Sequence, residues 1–191
     1  MKNKLLITAL LLMLLFVVTG CEGNSSHPVS DSDITAIYEN AREALTWFQM
    51  STMDIEWSMD GGIEAYDNNW FPVIHETINT LADLEAHLRT LFADDFVNGL
   101  LFGEHIMYRD FDGVLHGFGA DRGSNRLAGE ETHEIIWLND YELIYRVSVD
   151  IYVDLPSWGE PLPDIDFVDV FDFYMVYENG NWVFSNFELV R

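Results

Sequence analysis

Six histidines are the side chains in this sequence best suited to proton transfer or metal binding: His27, His75, His87, His105, His116 and His133. No pair has zinc-type spacing such as His-x3-His. Asp112-Gly113 between two strand-like runs marks a two-residue hairpin turn. In that register His116 faces Arg109 and His105 faces Ala120. The two imidazoles then stand four strand steps apart, roughly 13 Å at the rise of a strand, too far to share a metal. His87 falls on a helix beside acidic residues, where water solvates it. The acidic run Asp164–Asp172 lacks the glycine and the distal bidentate glutamate of an EF-hand loop. It reads as a strand with an acid-lined edge, which blunts edge-to-edge aggregation. There is no Gly-x-Ser-x-Gly elbow. A single His–Asp pair suffices for acid/base chemistry in a pocket, and His75, His105, His116 and His133 are all open to that role. Spacing does not choose among them, which argues against an enzyme. No metal or cofactor is expected.

The only cysteine, Cys21, ends an apolar run in FVVTGCEGNSS, residues 16–26. Lys2 and Lys4 form a positive head, and residues 5–18 are apolar apart from Thr8. That is a signal-peptide layout, short for a stable transmembrane helix. With Val18-Thr19-Gly20 leading into it, Cys21 resembles the lipidated cysteine of a bacterial lipobox. It would carry a thioether-linked diacylglycerol and become the first residue of the mature chain. The alternative is an ordinary secretory signal cut nearby. One cysteine excludes an intrachain disulfide. The expected organisation is a signal peptide over residues 1–20, a polar tether over 21–32 and one domain over 33–191. The expected location is the outer face of the cytoplasmic membrane in a bacterial envelope, with the protein anchored there through Cys21.

Removing residues 1–20 removes both lysines and no acid, so the formal charge moves from −24 to −26. The remaining cations are seven arginines. Such acidity excludes nucleic acid, which needs basic patches, and disfavours anionic wall polymers and lipid head groups. It favours basic partners by electrostatic steering. With 49% hydrophobic residues the chain has a core to bury. A monomer is expected.

The elements follow from the hydrophobic period. Ile34, Ile37, Tyr38, Ala41, Leu45 and Phe48 recur at helical spacing after N-cap candidates at Asp31–Asp33. Residues 51–69 are irregular, with turns at Gly61-Gly62 and Asp67-Asn68-Asn69. WFPVIHET is a short extended piece. Thr80-Leu81-Ala82-Asp83 reads as a capping box opening a second helix, striped by Leu81, Leu84, Leu88, Leu91 and Phe92. ADDFVNGLLF forms a third. From residue 104 the period shortens to two. Tyr141, Leu143, Tyr145, Val147, Val149, Ile151 and Val153 share one strand face. FVDVFDFYMVY and WVFSNFELV pair across Glu178-Asn179-Gly180-Asn181. Gly117 should face Tyr108, whose ring covers it. Helices first and a meander of strands after predict an α+β fold, with N-terminal helices packed on a long antiparallel sheet. The layout is cystatin-like or NTF2-like, and such folds host enzymes, binders and scaffolds alike.

Several stretches together carry a family resemblance. They are Ala-Leu-Thr-Trp-Phe (44–48) with Ser-Thr-Met (51–53), and Thr-Leu-Ala-Asp-Leu-Glu-Ala-His-Leu-Arg-Thr-Leu-Phe (80–92). Asp-Gly-x-Leu (112–115), Ala-Asp-Arg-Gly (120–123) and Asn-Trp-Val-Phe-Ser-Asn-Phe (181–187) complete the set. In order and spacing, residues 33–190 resemble the IseA-type inhibitors of peptidoglycan DL-endopeptidases. The resemblance implies a cell-envelope protein that restrains NlpC-type cysteine peptidases, autolysins that cut the wall's peptide stems. It implies an inhibitor that covers a Cys–His cleft and has no catalytic residues of its own. A lipid anchor departs from a freely secreted inhibitor. The inhibitory surface is expected on two loops: Ser58–Glu64, with Asp60, Gly61 and Gly62, and the turn with Asp121, Arg122, Gly123 and Asn125. The alternatives are a ligand-binding lipoprotein of cystatin-like or NTF2-like fold and a small NTF2-like enzyme.

Overall fold

The computed structural model describes residues 29–56, 69–120, 123, 126–155, 159 and 161–190. Cys21, the signal segment, nearly all of the tether and the Gly61-Gly62 loop lie outside the described residues. Asp31–Arg191 forms one compact unit, and its core runs from Ile34 to Leu189.

Helix α1 spans Asp31–Gln49 and begins inside the stretch read as tether. Asp31 and Asp33 sit in its first turn, where the helix dipole favours acids. Its buried face is Ile34, Tyr38, Ala41, Ala44, Leu45 and Phe48. Ile37, expected on that face, is only half-buried. Helix α2 spans Leu81–Leu88 and opens with the expected capping box. The Asp83 N–H donates to Thr80 Oγ1 at 3.1 Å, and the Thr80 N–H donates to Asp83 Oδ2 at 3.0 Å. Helix α3 spans Asp94–Phe102. Arg89 ties the two together, donating to Glu85 on α2 at 2.7 Å and to Asn98 on α3 at 3.0 Å.

The fold is α+β, as expected, with three helices and antiparallel strands among the described residues; the strands divide into a long four-stranded sheet and a separate three-stranded one. The first orders β1 (Trp70–Pro72), β3 (Val114–Phe118) and β2 (Tyr108–Phe111) as β1-β3-β2. The second orders β4 (Ala128–Asn139), β5 (Glu142–Tyr152), β6 (Ile165–Glu178) and β7 (Asn181–Phe184) in sequence. The free edge of β3 is taken by β1, which leaves β4 to start a new sheet.

Two hairpins obey their turn chemistry. Asp112 and Gly113 have φ of 52° and 82°, and Asn179 and Gly180 have 50° and 89°. Positive φ at both central residues is the turn that suits two-residue hairpins. The β2–β3 register follows, with Arg109 opposite His116 and Tyr108 opposite Gly117. On β5 the alternation holds from Leu143 to Ile151, all buried. It fails at Tyr141 and Val153, which lie beyond the covered part of the sheet and are exposed. Strand β7 ends at Phe184, short of the expected run to Val190. There Asn186 takes the place of a backbone ladder, accepting the Tyr174 N–H at 2.6 Å and donating to the Asp172 carbonyl at 3.1 Å.

Helix α1 serves both sheets. The Tyr38 ring stacks on Tyr145 of β5 with centroids 4.5 Å apart. Phe173, Phe184 and Phe187 complete that aromatic layer. At the other end of α1, Phe48 meets Tyr108 of β2 edge to face at 5.1 Å. The Tyr108 hydroxyl donates to the Trp47 carbonyl at 3.0 Å and accepts from the Met53 N–H at 2.9 Å. The helix therefore fixes the three-stranded sheet against the rest of the core.

Candidate functional site

The residues flanking the two predicted loops meet at one end of the three-stranded sheet. Glu56 precedes residues 57–68, and its N–H donates to the Pro72 carbonyl at 2.9 Å. Asn69 follows them, and its carbonyl accepts the Gly119 N–H at 3.0 Å. Ala120, next to Gly119, leads into Asp121. Thr52 closes the joint. Its N–H donates to the Ala120 carbonyl at 3.3 Å, and its hydroxyl accepts the Ala120 N–H at 3.2 Å. The same hydroxyl donates to the Phe118 carbonyl.

Gly117 makes this joint possible. A Cβ there would run into the Thr52 γ-methyl and press on Ile55 and the Tyr108 ring, both at 3.3 Å. The Tyr108 ring covers the glycine, as the register predicted. Thr52 cannot withdraw without losing its bonds to Phe118 and Ala120. Gly117→Ala should therefore destabilise the domain by ~1–3 kcal/mol, the usual cost of overpacking. A thermal melt with Thr52→Ser as the relieving second change checks it, because the double variant should recover most of the loss.

Two hollows flank the joint. One, of about 340 Å³, is lined by Trp70, His105, Met107, Arg109, Phe118 and Ala120 among others. The other, of about 470 Å³, lies between Thr52, Asp54, Ile74 and Ala120. His105 and Ala120 thus share a wall, although the β2–β3 ladder stops at Tyr108 and does not pair them. The Arg109 guanidinium lies over the Trp70 ring, 4.9 Å from its centroid.

Two of the histidines, His75 and His87, lie against the Trp47 ring, at 6.0 and 5.6 Å. His116 is buried, and its Nδ1–H donates to the Val114 carbonyl at 2.9 Å. His75 Nδ1 accepts the N–H groups of Thr77 and Ile78 at 3.2 and 3.1 Å. In the neutral ring, accepting at Nδ1 leaves the proton on Nε2. His133 sits against the Tyr145 hydroxyl at 3.2 Å, with Glu131 at 3.8 Å from its other nitrogen. Among the described residues no group of three ligands is placed to hold a metal.

His87, expected in water, instead packs its ring 5.6 Å from Trp47, half-buried. Burial pulls its imidazole below the ordinary histidine range, and nearby His75 adds to this against the pull of Glu43. The unfolded chain then takes up a proton near pH 6.5 that the folded chain still refuses. Stability should fall as pH drops below about 6.5. His87→Gln should flatten that part of the plot of melting temperature against pH.

Of the loop residues named from the sequence, Gly123 alone is described, exposed with open space where a Cβ would go. Asp60, Gly61, Gly62, Asp121, Arg122 and Asn125 lie outside the described residues. Sequence reasoning missed Thr52. Its signal was indirect, in the strand glycine at 117 whose bare backbone something had to approach. Among the described residues no helix is long and apolar enough to cross a membrane. No protein-family model matches this chain, and no curated protein sequence does either.

Proposed function

We propose that the protein is a cell-envelope inhibitor of NlpC-type peptidoglycan DL-endopeptidases, held at the outer face of the cytoplasmic membrane by a lipid on Cys21. Two acyl chains on that cysteine give stable attachment where one would not. The observation that supports the inhibitor reading is the common root of the two loops. Asn69 and Gly119 are bonded to one another, and Thr52 holds Ala120 beside them. Roots held in one rigid joint suit two loops to entering a cleft together, because the roots are ordered in advance. An inhibitor of this kind blocks access to the Cys–His pair and contributes no chemistry. The formal charge of −26 on the chain from Cys21 onward draws in a basic peptidase and keeps the anionic wall away.

Titration of residues 27–191 into a purified NlpC-type DL-endopeptidase tests this, read by cleavage of peptidoglycan at low and high salt. Stoichiometric inhibition that weakens with salt is the expected result. Undiminished cleavage across several such peptidases would remove the proposal.

A further inference from the structure

Strand β6 outruns its partner on one edge. From Met175 to Glu178 it pairs with β7. Next to that, the Tyr174 N–H goes to Asn186 and its carbonyl accepts from Ser185. The Asp172 carbonyl accepts from Asn186. Further along, the described residues place no strand on this edge, while the opposite edge stays paired with β5 through Tyr152↔Ile165. Backbone direction alternates with a period of two. Tyr174 and Asp172 point outward, so Val170 and Val168 also present N–H and C=O to the open edge. The Val170 N–H is turned onto the side chain of its own neighbour, Asp169 Oδ1, at 3.0 Å.

The side chains of this half-strand are uncovered on both faces. Ile165, Phe167, Val168 and Val170 are 50%, 52%, 50% and 52% exposed. Natural sheets rarely leave an open edge this apolar. Asp164, Asp166 and Asp169 interleave with these residues. Pairing with a second copy would set those carboxylates against each other, which is destabilising. The same carboxylates attract a strand that carries cations.

We propose that the open half of β6, Ile165–Val170, is a strand-addition site for an extended partner segment in which Lys or Arg alternates with apolar residues. Main-chain bonds to Val168 and Val170 would supply affinity. The exposed side chains and the aspartates would supply selectivity. The site stands apart from the peptidase reading, and its test uses no peptidase.

The test is an NMR titration of residues 27–191, which contain the whole described core, with three synthetic peptides. One alternates Lys and Val. One alternates Glu and Val. The third is the Lys–Val peptide with alternate amides N-methylated. The Lys–Val peptide should bind, shift the Val168 and Val170 amides and slow their exchange. The other two should bind ~10-fold more weakly or worse, the factor that about one or two lost hydrogen bonds represents. Val170→Pro removes an outward N–H and leaves the β5 ladder intact, and it should weaken binding to a similar degree. Val168→Lys does the same by charge and serves if the proline lowers the melting temperature. Equal binding of the N-methylated peptide would show plain charge attraction and overturn the proposal. So would shifts away from β6, or no binding of the Lys–Val peptide.

Discussion

Phe173→Ala should cost the domain about 3–5 kcal/mol, the range for deleting a buried phenylalanine. Phe173 is 1% exposed. It lies 4.6 Å, centroid to centroid, from Phe187 and 6.1 Å from Tyr38, both stacked, with Phe184 edge-on at 6.3 Å. Phe173 is on β6 and these partners come from α1, β7 and the C-terminal segment, so the cavity would open where the elements meet. The aromatic neighbours are themselves locked by one another, which limits collapse into the space. A typical domain has about 5–15 kcal/mol in total. Chemical denaturation should show the variant near the edge of folding. Phe171→Ala, only half-buried at the next inward position of β6, should cost much less. Equal losses for the two would show that the layer around Phe173 is not the centre of the core.

Joint replacement of Asp121 and Arg122 by alanine should weaken inhibition about 30-fold or more, the loss of a ~2 kcal/mol hot spot. The melting temperature should stay put. Ala120 precedes the second loop in sequence and is held through its backbone by Thr52. Those bonds use only Thr52 and the Ala120 backbone. The effect therefore separates contact from scaffolding. A Thr52→Val variant should do the opposite, lowering stability by unpairing the Ala120 N–H and the Phe118 carbonyl. If inhibition survives the double alanine change with the fold preserved, the loop at 121–125 is not part of the contact.

Local chemistry was legible in the sequence because its causes are local. The Thr80–Asp83 box and the Asp112-Gly113 and Asn179-Gly180 turns depend on neighbours within four residues. The β2–β3 register then follows from a turn of fixed length. The long-range choices were not legible. Whether β3 pairs next with β1 or β4 depends on closure over dozens of residues, and alternation reads the same either way. The joint at Thr52 was hidden for the same reason. Its partners Phe118 and Ala120 lie 66 and 68 residues away. His87 illustrates a third limit. Acids beside it in sequence suggested solvent, but Trp47, from a different helix, covers it. The apolar edge of β6 read as blunted by its acids. Only the structure places β7 too short to cover it.

The proposed coverage of a DL-endopeptidase's Cys–His cleft can be read at the cysteine itself, through its alkylation. The rate at which iodoacetamide modifies the peptidase's catalytic thiol would be measured with and without saturating residues 27–191. Alkylation should slow in proportion to the fraction bound, and high salt should restore it. An unchanged rate at saturation, with binding verified independently, would rule out cleft coverage, because the thiol would then be open in the complex.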